Sequence, residues 1–188
     1  MKRLILASAS PRRRELLGRL GLEFEVRPAA VDETPQDGEN PEALALRLAR
    51  AKALASAAGR SGERVLGADT VVARDAAILG KPANASEAEQ MLALLSGAEH
   101  RVVTGLALVE DGAVAETCAV ARVWFRPLLP EEIARYAAGG EPLDAAGGYA
   151  IQGGAAGFIS RMVGSYTNVV GLPLSEVVRL LREKEHRT

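Results

Sequence analysis

The sequence predicts an α/β fold built on a mixed sheet. Over the first half of the chain, short apolar runs with strand character alternate with amphipathic helical segments. In the second half, two long strand-like segments flank Asp111-Gly112, a dipeptide suited to a tight antiparallel hairpin. The 188 residues, 48% hydrophobic and 25% charged, match one globular domain, taken as residues 1–188, with room for two lobes around a groove.

Leu4 to Ala7 reads as a short buried strand. Ser10 is a natural N-cap and Pro11 a natural first residue for a helix that runs through Leu20 and stops at Gly21. Leu22 to Val26 alternates as a strand, and a polar loop follows from Pro28 to Asn40. Asn40 caps a helix over Pro41 to Ala58, where Leu44, Leu48 and Leu54 recur at helical spacing. Arg64 to Ala73 is a strand, or two elements that meet at Asp69. Ser86 is placed to cap the next helix, which ends at Gly97. The hairpin strands are His100 to Val109 and Val114 to Phe125, with Trp124, Phe125 and Cys118 expected in the core. A helix over Pro130 to Ala138 stops at Gly139-Gly140. Ala155 to Val163 is predicted as a strand, and Leu174 to Glu185 as a closing helix.

Net charge is −1, so the charge balance offers nothing for nucleic acid or an acidic membrane surface. The only lysines are Lys2, Lys52, Lys81 and Lys184, which makes a lysine in a loop stand out among the arginines. With Cys118 the single cysteine, and His100 and His186 the only histidines, neither a disulfide nor a zinc cluster can form. Any metal must sit on oxygen ligands, which points to Mg²⁺ or Mn²⁺. The apolar run after Lys2-Arg3 is too short for a signal peptide, and the weakly charged stretch from 145 to 175 is broken by glycines and Pro173. A cytoplasmic protein is expected. A homodimer is admitted by the sequence but not specified by it.

Five segments carry chemistry. Ser8-Ala9-Ser10-Pro11-Arg12-Arg13-Arg14 sets three cations in the first turn of a helix, where each opposes the dipole by ~0.3–1 kcal/mol if exposed. An anion docked on the free backbone N–H groups and guanidinium forks would reverse that cost. Asp69, in Gly67-Ala68-Asp69-Thr70-Val71, is a carboxylate among apolar strand residues, costly to bury unless paired, metal-bound or facing a cleft. Asp32-Glu33 supplies a second oxygen donor for a cation, though alone it reads as a solvated acidic loop. Lys81, in Gly80-Lys81-Pro82, is a point charge in a stiff turn, able to meet a phosphate. Gly147-Gly148-Tyr149-Ala150-Ile151-Gln152-Gly153-Gly154 allows close backbone approach and offers Gln152 to a base edge; it is neither a P-loop nor a dinucleotide fingerprint.

Taken together these segments resemble the Maf-like nucleotide pyrophosphatases. The likeness runs through Leu4-Ile-Leu-Ala-Ser-Ala-Ser-Pro-Arg-Arg, Val31-Asp-Glu-Thr-Pro, Leu66-Gly-Ala-Asp-Thr-Val-Val, Gly80-Lys-Pro, Leu94-Leu-Ser-Gly, the segment from Gly140 to Gly153, and Val169-Val-Gly-Leu-Pro-Leu. The resemblance implies an elongated, two-lobed, inosine-triphosphatase-like fold with a central groove. It also implies hydrolysis of a nucleoside triphosphate to monophosphate and pyrophosphate with a divalent cation. On that pattern Asp69 is the proton acceptor, and Arg12, Thr70 and Gln152 match the subgroup acting on dTTP and UTP. The sister subgroup, acting on 7-methyl-GTP, tends to have Trp, Gln and Glu there. The chain departs at Ala145, where many relatives carry Lys; phosphate neutralisation then rests on Arg13, Lys81 and the metal.

The implied mechanism gives Glu33 and Asp69 the metal, and Asp69 the water that attacks the α-phosphorus. Arg13, Lys81 and the Ser8–Pro11 segment, with Ser10, stabilise phosphate charge, while Arg12, Thr70 and Gln152 read the pyrimidine. Two other classes compete: a nucleotide-binding regulator of cell division without turnover, since the family takes its name from septum formation, and a sugar-nucleotide transferase, whose glycine-rich first loop is missing.

Overall fold

Leu4, Ile5 and Leu6 are at most 7% exposed and form the first strand, β1 (Arg3–Leu6). The structure, a computed structural model, describes residues 2–185, with the side chains of residues 2–182; His186 lies outside the described residues. β1 pairs in parallel with β2 (Phe24–Val26) and with β3 (Glu63–Arg74), so that Leu6 lies opposite both Val26 and Leu66. The connections are helices, as parallel neighbours require: α1 (Pro11–Gly18) leads into β2, and α2 (Pro41–Ala57) into β3.

The chain then turns at Asp75, at φ +52, into β4 (Ala77–Leu79), antiparallel to β3. α3 (Ala85–Leu95), β5 (Glu99–Glu110), β6 (Ala113–Phe125) and α4 (Pro130–Ala137) follow. Three short 3-10 turns over Glu141–Asp144, Ala146–Gly148 and Gly154–Phe158 precede β7 (Ile159–Val163), α5 (Tyr166–Val170) and α6 (Leu174–Glu185). The sheet has seven strands in the order β2-β1-β3-β5-β6-β7, with β4 beside β3. This is the mixed sheet the sequence predicted. No helix among the described residues is long and apolar enough to cross a membrane.

The chain divides into two compact units. The first comprises Met1–Thr70, Thr104–Ala119 and Gly171–Thr188. One of its cores joins Ile5, Ala7, Val65, Ala107 and Val109 on strands to Ala49 and Ala53 on α2. Here the helix lies almost on the strand backbone: a Cβ at Gly67 would sit 2.1 Å from the Ala49 carbonyl oxygen, and one at Gly105 would sit 2.4 Å from the Ala45 carbonyl. The second unit comprises Val71–Val103 and Val120–Val170. Its largely aliphatic core holds an aromatic cluster, in which Phe125 meets His100, Tyr149 and Phe158 edge-on at centroid distances of 5.0, 4.9 and 5.9 Å.

Several local expectations need correction. Trp124 is not a core residue. Val123 and Phe125 point inward, and strand alternation sends Trp124 to the opposite face, where Arg122 and Arg161 stack on it at 4.9 and 4.8 Å. Cys118 is only half-buried, on a part of β6 where its neighbours Thr117 and Ala119 are half-buried as well. Asn84, not Ser86, caps α3: its Oδ1 accepts from the Glu87 N–H at 3.0 Å. β3 runs unbroken through Asp69, and only 159–163 of the predicted 155–163 strand is extended.

Candidate active site

The first-turn arginines serve different ends. Ser10 caps α1 through a hydrogen bond from the Arg13 N–H, and Ser8 Oγ accepts the Ser10 N–H at 3.3 Å. That places Arg13 where its side chain folds back into the first unit. Its Nη1 donates to Ser8 Oγ at 3.1 Å, its Nη2 to Thr70 Oγ1 at 3.0 Å, and its Nε to the Gly171 carbonyl at 2.9 Å. Thr70 Oγ1 in turn lies 2.9 Å from the hydroxyl of the fully buried Thr104. A guanidinium with three fixed partners is a rigid, pre-aimed charge. Arg12 is half-buried beside it, and Arg14 is exposed.

Below this lies the acidic centre. Asp69 is 7% exposed, in the middle of β3. Lys52, 9% exposed on α2, donates to Asp69 Oδ1 at 2.6 Å and sits 2.6 Å from Glu33 Oε1. Glu33 itself is exposed, on a loop held in shape by two contacts: the Thr34 N–H donates to Asp32 Oδ1 at 2.9 Å, and Arg47 of α2 donates to the Thr34 carbonyl at 3.0 Å. Burial lifts the Asp69 carboxyl above its ordinary range, and the Lys52 and Arg13 charges pull it part of the way back. The same burial lowers the Arg13 pKa, against the attraction of Asp69 and Glu33, yet arginine stays charged at any working pH.

Among the described residues no cluster of three or more His, Cys, Asp or Glu could enclose a metal ion. Glu33 and Asp69 each use one carboxylate oxygen on Lys52 and keep a second. Two hard oxygen donors fit a cation of the Mg²⁺ kind, which commonly takes its remaining ligands from water and substrate phosphates.

Lys81 and Gln152 belong to the second unit. Lys81 is exposed in a turn anchored by buried Pro82 and by the Gly147 N–H, which donates to the Gly80 carbonyl at 2.9 Å. Gln152 is exposed, one residue beyond the buried Ile151.

The sequence pattern that defines the Maf-like protein family matches residues 3–184. The chain belongs to that family. Among curated relatives, the dTTP/UTP pyrophosphatase of Geobacter metallireducens is 51% identical over 183 residues, covering 96% of this chain and 95% of its own. The dTTP/UTP pyrophosphatase of Myxococcus xanthus is 54% identical over 179 residues, covering 95% and 90%. Among solved structures, a HAM1 protein from Coxiella burnetii overlaps 66% of this chain and 73% of its own, with a TM-score of 0.46 and 18% identity.

In this Maf-like chain the structure brings Ser8, Arg13 and Thr70 into one network, and Glu33 and Asp69 into another through Lys52. Sequence reasoning overlooked Lys52 as a site residue, although a signal for it exists. Ala45, Ala49, Ala53 and Ser56 mark the buried face of α2, and Lys52 lies on that face, three residues after Ala49. A lysine on a face of small residues has to reach a carboxylate, because burying it unpaired is too costly.

Proposed function

We propose that this Maf-like chain is a cytoplasmic nucleoside triphosphate pyrophosphatase that cleaves dTTP and UTP to the monophosphate and pyrophosphate. The observation that carries the reading is the convergence of a buried, hard-to-ionise carboxylate with a buried ammonium and a pre-aimed guanidinium. The names and near-full-length identity of the relatives support the substrate class.

Asp69 orients a water and takes its proton while the water oxygen bonds to the α-phosphorus. The bond from the α-phosphorus to the bridging oxygen breaks, and pyrophosphate leaves with the electron pair. Lys52 balances the charge of Glu33 and Asp69, so that an anionic substrate can approach two carboxylates. Arg13, the Ser8–Pro11 segment with Ser10, and Lys81 stabilise charge on the phosphates. Arg12, Thr70 and Gln152 discriminate the pyrimidine, since a wrong base would leave polar groups desolvated by the nucleotide without partners. Glu33 and Asp69 would hold a divalent cation, Mg²⁺ or Mn²⁺, whose chemistry is to neutralise and polarise the triphosphate.

Turnover in ¹⁸O-water tests the attack site: the label is expected in the monophosphate and absent from pyrophosphate. Asp69→Asn is expected to lower kcat by about 10²–10⁴-fold with nucleotide binding kept. A near-normal rate in that variant removes Asp69 as the base, whereas nucleotide binding by the wild-type protein with no pyrophosphate release makes the chain a regulator instead.

A further inference from the structure

We propose that Tyr136 and Glu141 form a positioning pair for Gln152, and that their hydrogen bonds set how well the enzyme separates pyrimidine from purine triphosphates. The inference rests on the base-reading role proposed above for Gln152, and all of its geometry lies within the second unit.

The segment that carries Gln152 is poor in side chains able to hold it. Gly147 and Gly148 precede it, and Gly153 and Gly154 follow. A glutamine that discriminates between bases must nevertheless present its amide in one place, because a hydrogen bond is lost with a small displacement. The two ends of the turn are instead tied to one side-chain pair. On the near side, the Ala150 N–H donates to Tyr136 Oη at 3.1 Å. On the far side, the Gly154 N–H donates to Glu141 Oε1 at 3.0 Å and approaches Oε2 at 3.3 Å. Tyr136 Oη closes the circuit by donating to Glu141 Oε1 at 2.5 Å. Residues 150 and 154 bracket Gln152 symmetrically.

Two further features show that the arrangement is built around this turn. A Cβ at position 153 would sit 1.9 Å from Glu141 Oε2, so glycine is what allows the carboxylate to lie against the backbone beside Gln152. Among the described residues Glu141 makes no ion pair; its partners are the phenol and the Gly154 amide. The Tyr136 ring is fixed in turn, edge-on to Phe158 at 5.2 Å. With Ile151 buried at 9% exposure and Gln152 exposed, the clamped turn holds one side chain in and the next one out.

The test is a double-mutant cycle on the full chain, reading the ratio of kcat/KM for UTP to that for ATP. Tyr136→Phe is expected to lower this ratio about three- to tenfold, mainly through a higher KM for UTP with kcat little changed, the usual range for one lost hydrogen bond. In a Gln152→Ala background the same substitution is expected to leave the ratio unchanged. Glu141→Gln, which keeps one acceptor oxygen, should retain more of the ratio than Glu141→Ala, with thermal melting as the check on folding. If Tyr136→Phe lowers both substrates equally, or changes the ratio as much without Gln152 as with it, the pair is merely structural and the proposal is overturned. If Gln152→Ala itself leaves the ratio at the wild-type value, the base-reading assignment fails first and the positioning role falls with it.

Discussion

On the proposed mechanism, the contact between Asp69 and Lys52 sets the pH behaviour of the site at the scale of single residues. Burial raises the Asp69 pKa; the nearest charge opposing that rise is Lys52, with Arg13 after it. With Asp69 as the proposed base, activity is expected to be lost as pH falls through this raised value, because a protonated carboxyl cannot accept the proton. Removing the ammonium with Lys52→Met takes away the largest opposing influence and leaves Asp69 protonated to higher pH. The acid limb of kcat/KM is therefore expected to move to higher pH, and activity at neutral pH to fall about tenfold or more, the size of a lost charge-assisted hydrogen bond. Recovery of activity at alkaline pH should accompany the shift. An acid limb that stays in place would mean that Lys52 does not govern the ionisation of Asp69.

The encounter of those two residues depends on an element, α2, and on how closely it approaches the sheet. Ala45, Ala49 and Ala53 face Gly67 and Gly105 with no space for a methyl group between them. A thicker interface would lift the helix and withdraw Lys52 from Asp69. In Gly67→Ala the new Cβ meets the Ala49 carbonyl oxygen, a backbone atom that cannot rotate away. The substitution is expected to cost ~1–3 kcal/mol in urea unfolding and to lower kcat/KM together with stability. Gly18→Ala is the matched control, because nothing lies within 4 Å of its Cβ position in α1. It is expected to be neutral or stabilising by less than ~1 kcal/mol, with activity unchanged. Full activity in a destabilised Gly67→Ala protein would separate the packing from the site.

For the whole molecule, acid should act in two stages, and His100 sets the first. It is 1% exposed; burial, reinforced by Arg74, lowers its pKa from 6.5 to about 4. Between pH 6.5 and about 4 the unfolded chain takes up a proton that the folded chain refuses. Stability is thus complete above 6.5 and declines as pH falls through that window, by about 3 kcal/mol at most. Glu39, Glu63, Glu99 and Glu132 are held below the ordinary value of 4.5 by Arg47, Arg27, Arg122 and Arg126, so their contributions are lost only as pH falls below it. Asp69 has the opposite sign, since protonation relieves its burial as pH falls. The urea midpoint of the wild-type protein should begin to drop near pH 6.5, whereas that of His100→Gln should show no such drop before about 4.5. Parallel curves for the two proteins would exclude His100 as the origin.

What could be read from the chain in advance is what neighbouring residues decide among themselves. Ser10 and Asn40 cap α1 and α2 as predicted, because a cap is a contact over three residues. Asp111-Gly112 turns β5 into β6 with φ of +47° and +79°, the positive pair that this dipeptide accepts most readily. The mixed sheet followed from apolar periodicity, and Arg13, Glu33 and Asp69 could be singled out as candidates from the types and order of their residues. Contacts between distant segments lay beyond such reading. Lys52 meets Asp69 because a parallel crossover lays α2 on β3, and only that packing turns a helical lysine into part of an acidic centre. Trp124 faces outward because strand parity gave the core to Phe125, and parity depends on which face α3 and α4 cover. Local chemistry determined the elements of this protein; burial and nonlocal packing decided which of its charges meet.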